Sequence, residues 1–557
     1  MPEPTYDTVS EDVAVEMSDG VLLGATVTYP SSDATTRAPG RFPVVLSITP
    51  YGRTALCSCP DAAMFATRGI VSVVVDTRGT GGSEGNLDDN YFSPREARDG
   101  YELVEHFGTQ RWSSGKVAMA GGSYVGITQY LTAELQPPHL AAIVPGVALS
   151  DLYRDAYTHG GIPNLFFDAQ YIAVQGGPGM LTPGGPTQLP MTAGAKLQQL
   201  LGTPIALDYL AHPNDDRFYR ARSPYYRADR ITVPTLILDG WRDGFVRGAV
   251  EMYRELAERP GVETRMYVDP CTHKGCGAPF APTLSDEGGD DVTAMTLEFL
   301  AHHLLGVRTP ARPAVRSYVQ GAVGEILQTT QWPPRDTDVT TMRLQGSAIE
   351  TGRPAGAVTT RSYLTNPLEG ISNPLDFYGT VAISPYVPTD QQLAAATGLT
   401  WTSAPLDEGA LLAGPAQVHL VASSSATDTD WIVQLSDVAP DGTTSLITQG
   451  YLRASHRALD RRRSSEASPY HVEERPLPLE PGRFYPFEIA VWPTTYRLAP
   501  GHRIAMRLST YDVPTHAPAS IRVDSDDPSI ALVAPSTNVV RMGRGGTSLL
   551  LPLHPLG

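Results

Sequence analysis

Ser123 follows two glycines and precedes a run with helical spacing, in Lys116-Val117-Ala118-Met119-Ala120-Gly121-Gly122-Ser123-Tyr124-Val125-Gly126. Lys116 to Ala120 reads as a short buried strand, and Tyr124 to Glu134 as a helix. A strand, a sharp turn with serine at its tip, and a helix make a nucleophile elbow. The turn strains the serine backbone and lifts Oγ clear of the sheet, and a side chain on Gly121 or Gly122 is expected to crowd it. The helix N-terminus aims free N–H groups at the space beside Oγ, where an oxyanion would form. The usual spacing is G-x-S-x-G; here the second glycine comes one position late, at Gly126. An isolated Gly-Gly-Ser is as readily an ordinary turn, so residues elsewhere must decide. A hydroxyl nucleophile needs a base and a group to orient it. In this type of site the chain order is Ser, then acid, then His. Two later apolar strands end in loops carrying such groups: Gly240-Trp241-Arg242-Asp243-Gly244-Phe245 and Asp269-Pro270-Cys271-Thr272-His273. His273 is the expected base and Asp243 the acid that orients it. Asp239 and Asp269 compete with Asp243, but Asp239 sits nearer the sheet and Asp269 is close to His273 along the chain. His302 and His303 fall on a closing helix, His139 in a Pro-Pro-His loop, and His159 and His212 in an insertion.

The elements that must position these groups alternate. Val13 to Tyr29 reads as a hairpin about Ser18-Asp19-Gly20. Phe42 to Thr49 and Gly69 to Val75 read as buried strands, Glu96 to Phe107 as an amphipathic helix, and Leu140 to Pro145 as a further strand. Continuous apolar strands separated by helices imply a parallel sheet covered on both faces, which with the elbow predicts an α/β-hydrolase domain. From Asp151 to Arg230 the rhythm breaks. That segment is rich in aromatics, among them Phe166 and Phe167, and reads as a helical cap above the strand C-termini. Strands resume at Val233 to Asp239 and Glu263 to Val268, with helices at Phe245 to Arg259 and Asp290 to Leu305. After about Ala314 helical patterns vanish, and short alternating segments predict an all-β sandwich or jelly roll. The expected organisation is therefore residues 1–150 and 231–313 as hydrolase domain, 151–230 as cap and 314–557 as jelly roll. A chain of 557 residues is too long for one core.

The formal charge of −17 argues against nucleic acid or anionic membrane as partner. No run approaches 18 apolar residues, and the N-terminus lacks a signal-peptide pattern, so a cytoplasmic location is expected. The expected partners are a small-molecule ester or amide substrate and, at most, a second copy of the chain. No cofactor or metal is called for.

Five ordered motifs resemble the cocaine esterase-type hydrolases, the CocE/NonD group related to X-prolyl dipeptidyl peptidases. They are Pro50-Tyr51-Gly52, Asp76-Thr77-Arg78-Gly79 with Ser83-Glu84-Gly85, the Ser123 elbow, the Asp243 loop and the His273 loop. Ser424 to Trp431 and Leu498 to Arg503 resemble that family's C-terminal domain. The resemblance implies Ser123, Asp243 and His273 as triad, with the Tyr124 backbone N–H and the Tyr51 hydroxyl as oxyanion donors. It also implies Phe245 as part of the acyl pocket. Phe166 and Phe167 of the cap are further candidates for substrate contact. Arg78 is expected to pair with a carboxylate beneath the site, and Arg461-Arg462-Arg463 to be a solvated loop.

Cys57 and Cys59 follow the Tyr51 loop, and Cys271 and Cys276 flank His273. If both loops meet at one rim, free thiols, a disulfide between the two pairs or a zinc site are the alternatives. The leading functional expectation is a serine hydrolase of esters, or of amides, with a bulky apolar acyl group. An X-prolyl-type peptidase would need carboxylates for a free α-ammonium, with Asp208, Asp215 and Asp216 as candidates. Acyl transfer or cyclisation on a biosynthetic intermediate would use the same acyl-enzyme. A binding protein on an inactive scaffold is the non-enzymatic alternative.

Overall fold

The computed structural model describes residues 3–86, 91–164, 211–271, 273, 292–322, 324–335, 337–351, 357–365, 398–465, 467–511, 516 and 535–555. Ten strands form the first sheet: β1 (Asp7–Glu16), β2 (Leu22–Ser31), β3 (Phe42–Thr49), β4 (Val71–Asp76), β5 (Ser113–Gly122), β6 (Leu140–Gly146), β7 (Thr235–Gly240), β8 (Thr264–Asp269), β9 (Val315–Tyr318) and β10 (Ile326–Thr329). Their order is β1-β2-β4-β3-β5-β6-β7-β8-β9-β10. Strands β3 to β9 pair in parallel, and β1, β2 and β10 pair antiparallel at the edges. All eight residues of β3 are buried, as expected for a central strand with both faces covered. Helices α1 (Pro94–Gly108), α2 (Tyr124–Ala133), α3 (Val246–Ala257) and α4 (Val292–Leu305) make the crossovers that pack on the sheet. Helix α1 begins where Ser93 accepts from the Glu96 N–H and Pro94 occupies the first turn.

Because β3 to β8 run in parallel, the ends of β5, β7 and β8 lie along one sheet edge. Ser123 follows β5, Asp243 follows β7 and His273 follows β8. β9 and β10 depart from the expected domain limit. The sequence places them in the β-rich part after residue 313, but they extend the first sheet. They are four residues each with no helix between them, so they carry no α/β rhythm.

The C-terminal strands close on themselves. Ala410–Ser424, Tyr485–Leu498, Thr444–Arg453, Asp430–Val438, Arg503–Ser509, Leu399–Ser403, Ala348–Thr351, Val339–Gln345 and Ser548–Pro555 pair in that order, and the last pairs back onto the first. The result is a closed barrel around Trp401, Trp431, Phe487 and aliphatic neighbours, which leaves no open edge in the ring. Most of the expected cap, including Phe166, Phe167 and Asp208, lies outside the described residues. Its described parts are a wide turn at Tyr153–Tyr157, a two-residue hairpin, a short helix Arg217–Arg222 and a 3-10 segment Pro224–Arg230. Among the described residues no helix is long and apolar enough to cross a membrane.

Candidate active site

Ser123 has φ 59° and ψ −127°, a left-handed backbone that a side chain adopts only under strain. The turn is held from both sides. Ser123 N–H donates to the Gly146 carbonyl at 2.9 Å, and Gly122 N–H donates to the Ser58 carbonyl at 3.0 Å. Two glycines permit the packing. A Cβ on Gly121 (φ +143°) would lie 2.3 Å from Val125 Cγ1, and one on Gly126 would lie 2.7 Å from the Gly146 carbonyl oxygen. The late glycine is thus the point where helix α2 touches β6. Gly122, expected to be crowded, is not: its nearest neighbour would be Val147 Cγ2 at 3.5 Å.

His273 Nε2 lies 2.8 Å from Ser123 Oγ, and His273 Nδ1 lies 2.7 Å from Asp243 Oδ2. The other Asp243 oxygen accepts the Phe245 N–H at 2.6 Å, which orients the carboxylate. Phe245 meets the His273 ring edge to face, with centroids 5.2 Å apart. The Asp243 and His273 loops are stitched through backbone: Trp241 N–H donates to the Asp269 carbonyl at 2.9 Å and Arg242 N–H to the Cys271 carbonyl at 3.1 Å. A Cβ on Gly240 would lie 2.1 Å from that Cys271 oxygen, so only glycine lets the loops cross. Trp241 Nε1–H anchors the pair by donating to the Tyr318 carbonyl at 2.9 Å.

The competing acids are engaged differently. Asp239 is buried, accepts the Gly240 N–H at 2.7 Å and leaves Oδ2 without a hydrogen bond. Burial, and then the proximity of Asp243, push its carboxyl above the ordinary range, which favours the protonated form. Asp269 offers its carbonyl to Trp241 and stays on the sheet edge. The side chain that reaches the imidazole is Asp243.

Tyr51 places its hydroxyl 3.4 Å from Ser123 Oγ. Burial raises the Tyr51 phenol above its ordinary value, opposed by its contacts with Ser123 and the Tyr124 backbone. Its oxygen accepts from the Tyr124 N–H, and its O–H is within reach of Ser123 Oγ. Its loop is fixed by a buried pair that sequence reading did not find. Asp76, at the end of β4, accepts the Arg53 N–H at 2.6 Å and the Gly82 N–H at 2.8 Å, and pairs with the Arg53 guanidinium. Arg78 pairs with Asp99 through both Nε and Nη2, at 2.5 and 2.7 Å.

The Tyr124 side chain is tied to helix α1. Its hydroxyl donates to Glu96 at 2.9 Å and accepts the Tyr91 N–H at 2.8 Å. The same Glu96 oxygen accepts the Phe92 N–H at 2.7 Å. Burial pushes Glu96 up to about 8, against the pull of these hydrogen bonds. Glu96 and Tyr124 are 28 positions apart and share no periodic pattern, so no sequence signal links them.

A cavity of about 370 Å³ adjoins His273 and is lined by Gly121, Gly122, Asp239, Cys59 and Cys271 among others. The two cysteine-bearing loops thus meet at one rim. The sulfurs of Cys57 and Cys59 are bonded to each other, and among the described residues no cysteine is free. This replaces the expectation of free thiols, of a link between the two pairs, or of zinc. Cys276 lies outside the described residues.

The remaining candidates sit elsewhere. Asp215 is buried against Arg154 and Arg220. Asp216 caps the helix Arg217–Arg222 by accepting the Phe218 N–H. Arg461, Arg462 and Arg463 lie in an exposed turn as expected, and the Arg463 guanidinium reaches over the rings of Tyr226 and Tyr470, 5.4 and 5.0 Å from their centroids.

Residues 19–275 match the family model described as X-Pro dipeptidyl-peptidase (S15 family), and residues 309–537 match the X-Pro dipeptidyl-peptidase C-terminal non-catalytic domain. Cocaine esterase from a Rhodococcus species is 28% identical, over 91% of this chain and 92% of that protein. An aminopeptidase from a marine sediment Thaumarchaeota archaeon is similar in structure, with TM-score 0.80 at 21% identity, covering 99% of this chain and 98% of that one. A CocE/NonD family hydrolase from Staphylococcus aureus gives TM-score 0.75 at 21% identity, covering 98% and 94%. The two solved structures share the fold.

Proposed function

The chain belongs to the CocE/NonD family of hydrolases, related to the X-Pro dipeptidyl peptidases, and from that premise we propose that it is a serine hydrolase of esters acting through an acyl-enzyme on Ser123. The observation that carries this is the unbroken hydrogen-bonded chain from Ser123 Oγ through the His273 imidazole to Asp243. His273 Nε2 takes the Ser123 proton as Oγ attacks the ester carbonyl carbon. The carbonyl π pair moves to oxygen, and the oxyanion accepts from the Tyr124 N–H and the Tyr51 O–H. Asp243 keeps the proton-bearing Nδ1 toward itself and steadies the imidazolium. Collapse of the intermediate expels the alkoxide, which takes the proton from Nε2. Water, deprotonated by the same nitrogen, then attacks the acyl-enzyme and releases the acid and Ser123.

A bulky apolar acyl group is the favoured substrate class. Phe245, buried against the base, supports it, as does the aromatic richness of residues 151–230. Amide hydrolysis uses the same steps, and the X-Pro names of the matching family models favour keeping it as a second reading. The described carboxylates weigh against an N-terminal peptidase, because Asp215 is neutralised by two arginines and Asp216 caps a helix. The jelly-roll reading of the C-terminal barrel and the cap reading of residues 151–230 belong to the same proposal.

The test is labelling by a fluorophosphonate probe together with hydrolysis of p-nitrophenyl esters and prolyl anilides. Stoichiometric labelling and ester turnover, both lost in Ser123→Ala, are the expected result. An unlabelled wild-type protein that is folded by circular dichroism overturns it. Faster turnover of prolyl anilides than of aryl esters would move the assignment to the peptidase.

A further inference from the structure

The opposite edge of the sheet carries a second cluster that the hydrolase chemistry does not use. Helix α4 ends in His302, His303, Leu304 and Leu305, and the chain then reverses at Gly306, whose φ of 71° is the left-handed conformation that terminates helices. Gly306 N–H donates to the His302 carbonyl at 3.0 Å. The reversal brings the Val307 carbonyl to 2.9 Å from His302 Nδ1. That contact puts the His302 proton on Nδ1 and leaves the Nε2 lone pair outward, the arrangement that orients metal-binding imidazoles. His303 is fixed by an edge-on contact with Phe299, centroids 4.5 Å apart. Its Nε2 is shielded from solvent, has no hydrogen bond, and lies 3.5 Å from Glu263 Oε2. Glu263, which immediately precedes β8, is held by Arg265 through its other oxygen at 2.6 Å. Two imidazole nitrogens and one carboxylate oxygen thereby lie within 4.8 Å of one another.

We propose that Glu263, His302 and His303 form a site for one borderline divalent cation, with Zn²⁺ the best match. Imidazole donors select Zn²⁺, Ni²⁺ or Co²⁺ over Ca²⁺ and Mg²⁺, which prefer all-oxygen shells. Bonds of about 2.0–2.2 Å to three such donors require them to draw slightly closer, which His302, exposed at the helix end, can accommodate. The fourth position is open to water. The C-terminal end of α4 adds a favourable negative dipole. Two cations oppose binding: Arg265, and Lys116, whose Nζ donates to the His303 carbonyl at 3.0 Å. The bound ion ties the last turn of α4 to the start of β8. The six-residue length of β8 separates it by roughly 20 Å from the catalytic edge, so the role is structural rather than chemical.

The experiment is isothermal titration of untagged, full-length protein with ZnCl₂, with CoCl₂ absorption and thermal melting in parallel. Wild type and Ser123→Ala should each bind one ion, show a visible cobalt band and melt at least about 2 °C higher with saturating zinc. His302→Ala and Glu263→Gln should weaken binding at least about tenfold, lose the zinc-dependent shift, and keep ester hydrolysis in metal-free buffer. Both changes lie at exposed or half-buried positions, so a folded variant is expected, and circular dichroism confirms it. Absence of stoichiometric binding in wild type, or equal binding by the variants, overturns the site.

Discussion

Replacing Tyr51 with phenylalanine separates an oxyanion donor from an aromatic that only packs. The ring can stay where it is, edge-on to Tyr124 with centroids 6.2 Å apart; only the hydroxyl 3.4 Å from Ser123 Oγ is lost. The ground state therefore loses little, and the melting temperature should shift by less than about 2 °C. The transition state loses one of two donors in a partly desolvated site, which costs about 10²–10³ in kcat, or roughly 2.7–4 kcal/mol. Because burial holds the phenol protonated to above its ordinary value, the loss should be uniform with pH across the neutral range. The assay is steady-state hydrolysis of a p-nitrophenyl ester, with KM and kcat resolved. An oxyanion donor predicts the loss in kcat with KM little changed, since the contact forms only as charge develops. A fall of less than threefold in kcat would remove Tyr51 from the hole and leave Tyr124 N–H to be paired with some other donor.

Three further changes probe the rest of the site. Asp243→Asn should lower kcat by about 10⁴ by favouring the wrong imidazole tautomer, whereas Asp239→Asn, replacing an acid that bonds the Gly240 N–H rather than the imidazole, should change it less than tenfold; the reverse order in the same kinetic assay would reassign the acid. Gly126→Ala should destabilise by about 1–3 kcal/mol in urea denaturation, because its methyl must displace the Gly146 backbone or Ala148, while Gly122→Ala should be tolerated; equal effects would contradict the packing. Glu96→Gln should flatten part of the pH dependence of stability. With a folded value of about 8 against an ordinary 4.5, the folded state holds a proton that the unfolded state has lost, so this contribution is complete below pH 4.5, declines by up to about 1.4 kcal/mol per pH unit as pH rises, and is gone above about 8. Denaturation midpoints at pH 5, 7 and 9 should show the variant gaining on wild type as pH rises; parallel slopes would show that Glu96 is not the proton-holding group.

The parts of this architecture visible in the sequence are those written in local pattern. Strand β3 and helix α2 show as an apolar run and as helical spacing behind a glycine turn. The order of strand ends then singles out Ser123, Asp243 and His273, the three side chains found within hydrogen-bonding distance. What escaped was long-range or short. Asp76 pairs with Arg53 across 23 positions, and Arg154 gathers Asp151, Asp215 and Glu473 from three segments; charges so spaced read as ordinary surface residues. Strands β9 and β10 are too brief for an alternation to declare which sheet they join. The crowding attributed to Gly122 belongs to Gly126, because a turn signature shows that glycine is needed nearby but not which Cα faces the neighbouring strand.

The buried carboxyl groups around the site share one arrangement. Asp76 holds the Tyr51 loop and Glu96 holds the Tyr124 ring. A buried ion pair contributes little net stability once desolvation is counted, and an apolar replacement of similar shape is often as stable. Removing one partner is a different matter, since the other is left charged and unpaired. Such pairs therefore resist displacement more than they favour folding. The proposed oxyanion donors sit just after β3 and at the first residue of α2, and each is pinned by a carboxyl group from another segment, Asp76 for the Tyr51 loop and Glu96 for Tyr124. The base has no carboxylate of this kind beyond Asp243; its loop is held by backbone hydrogen bonds across Gly240 instead. The physical reading is that the proposed donor positions, which must match a developing charge closely, are fixed by buried carboxyl groups, ion-paired at Asp76 and protonated at Glu96, while the imidazole is oriented by Asp243 and the Phe245 ring on a loop held by backbone hydrogen bonds.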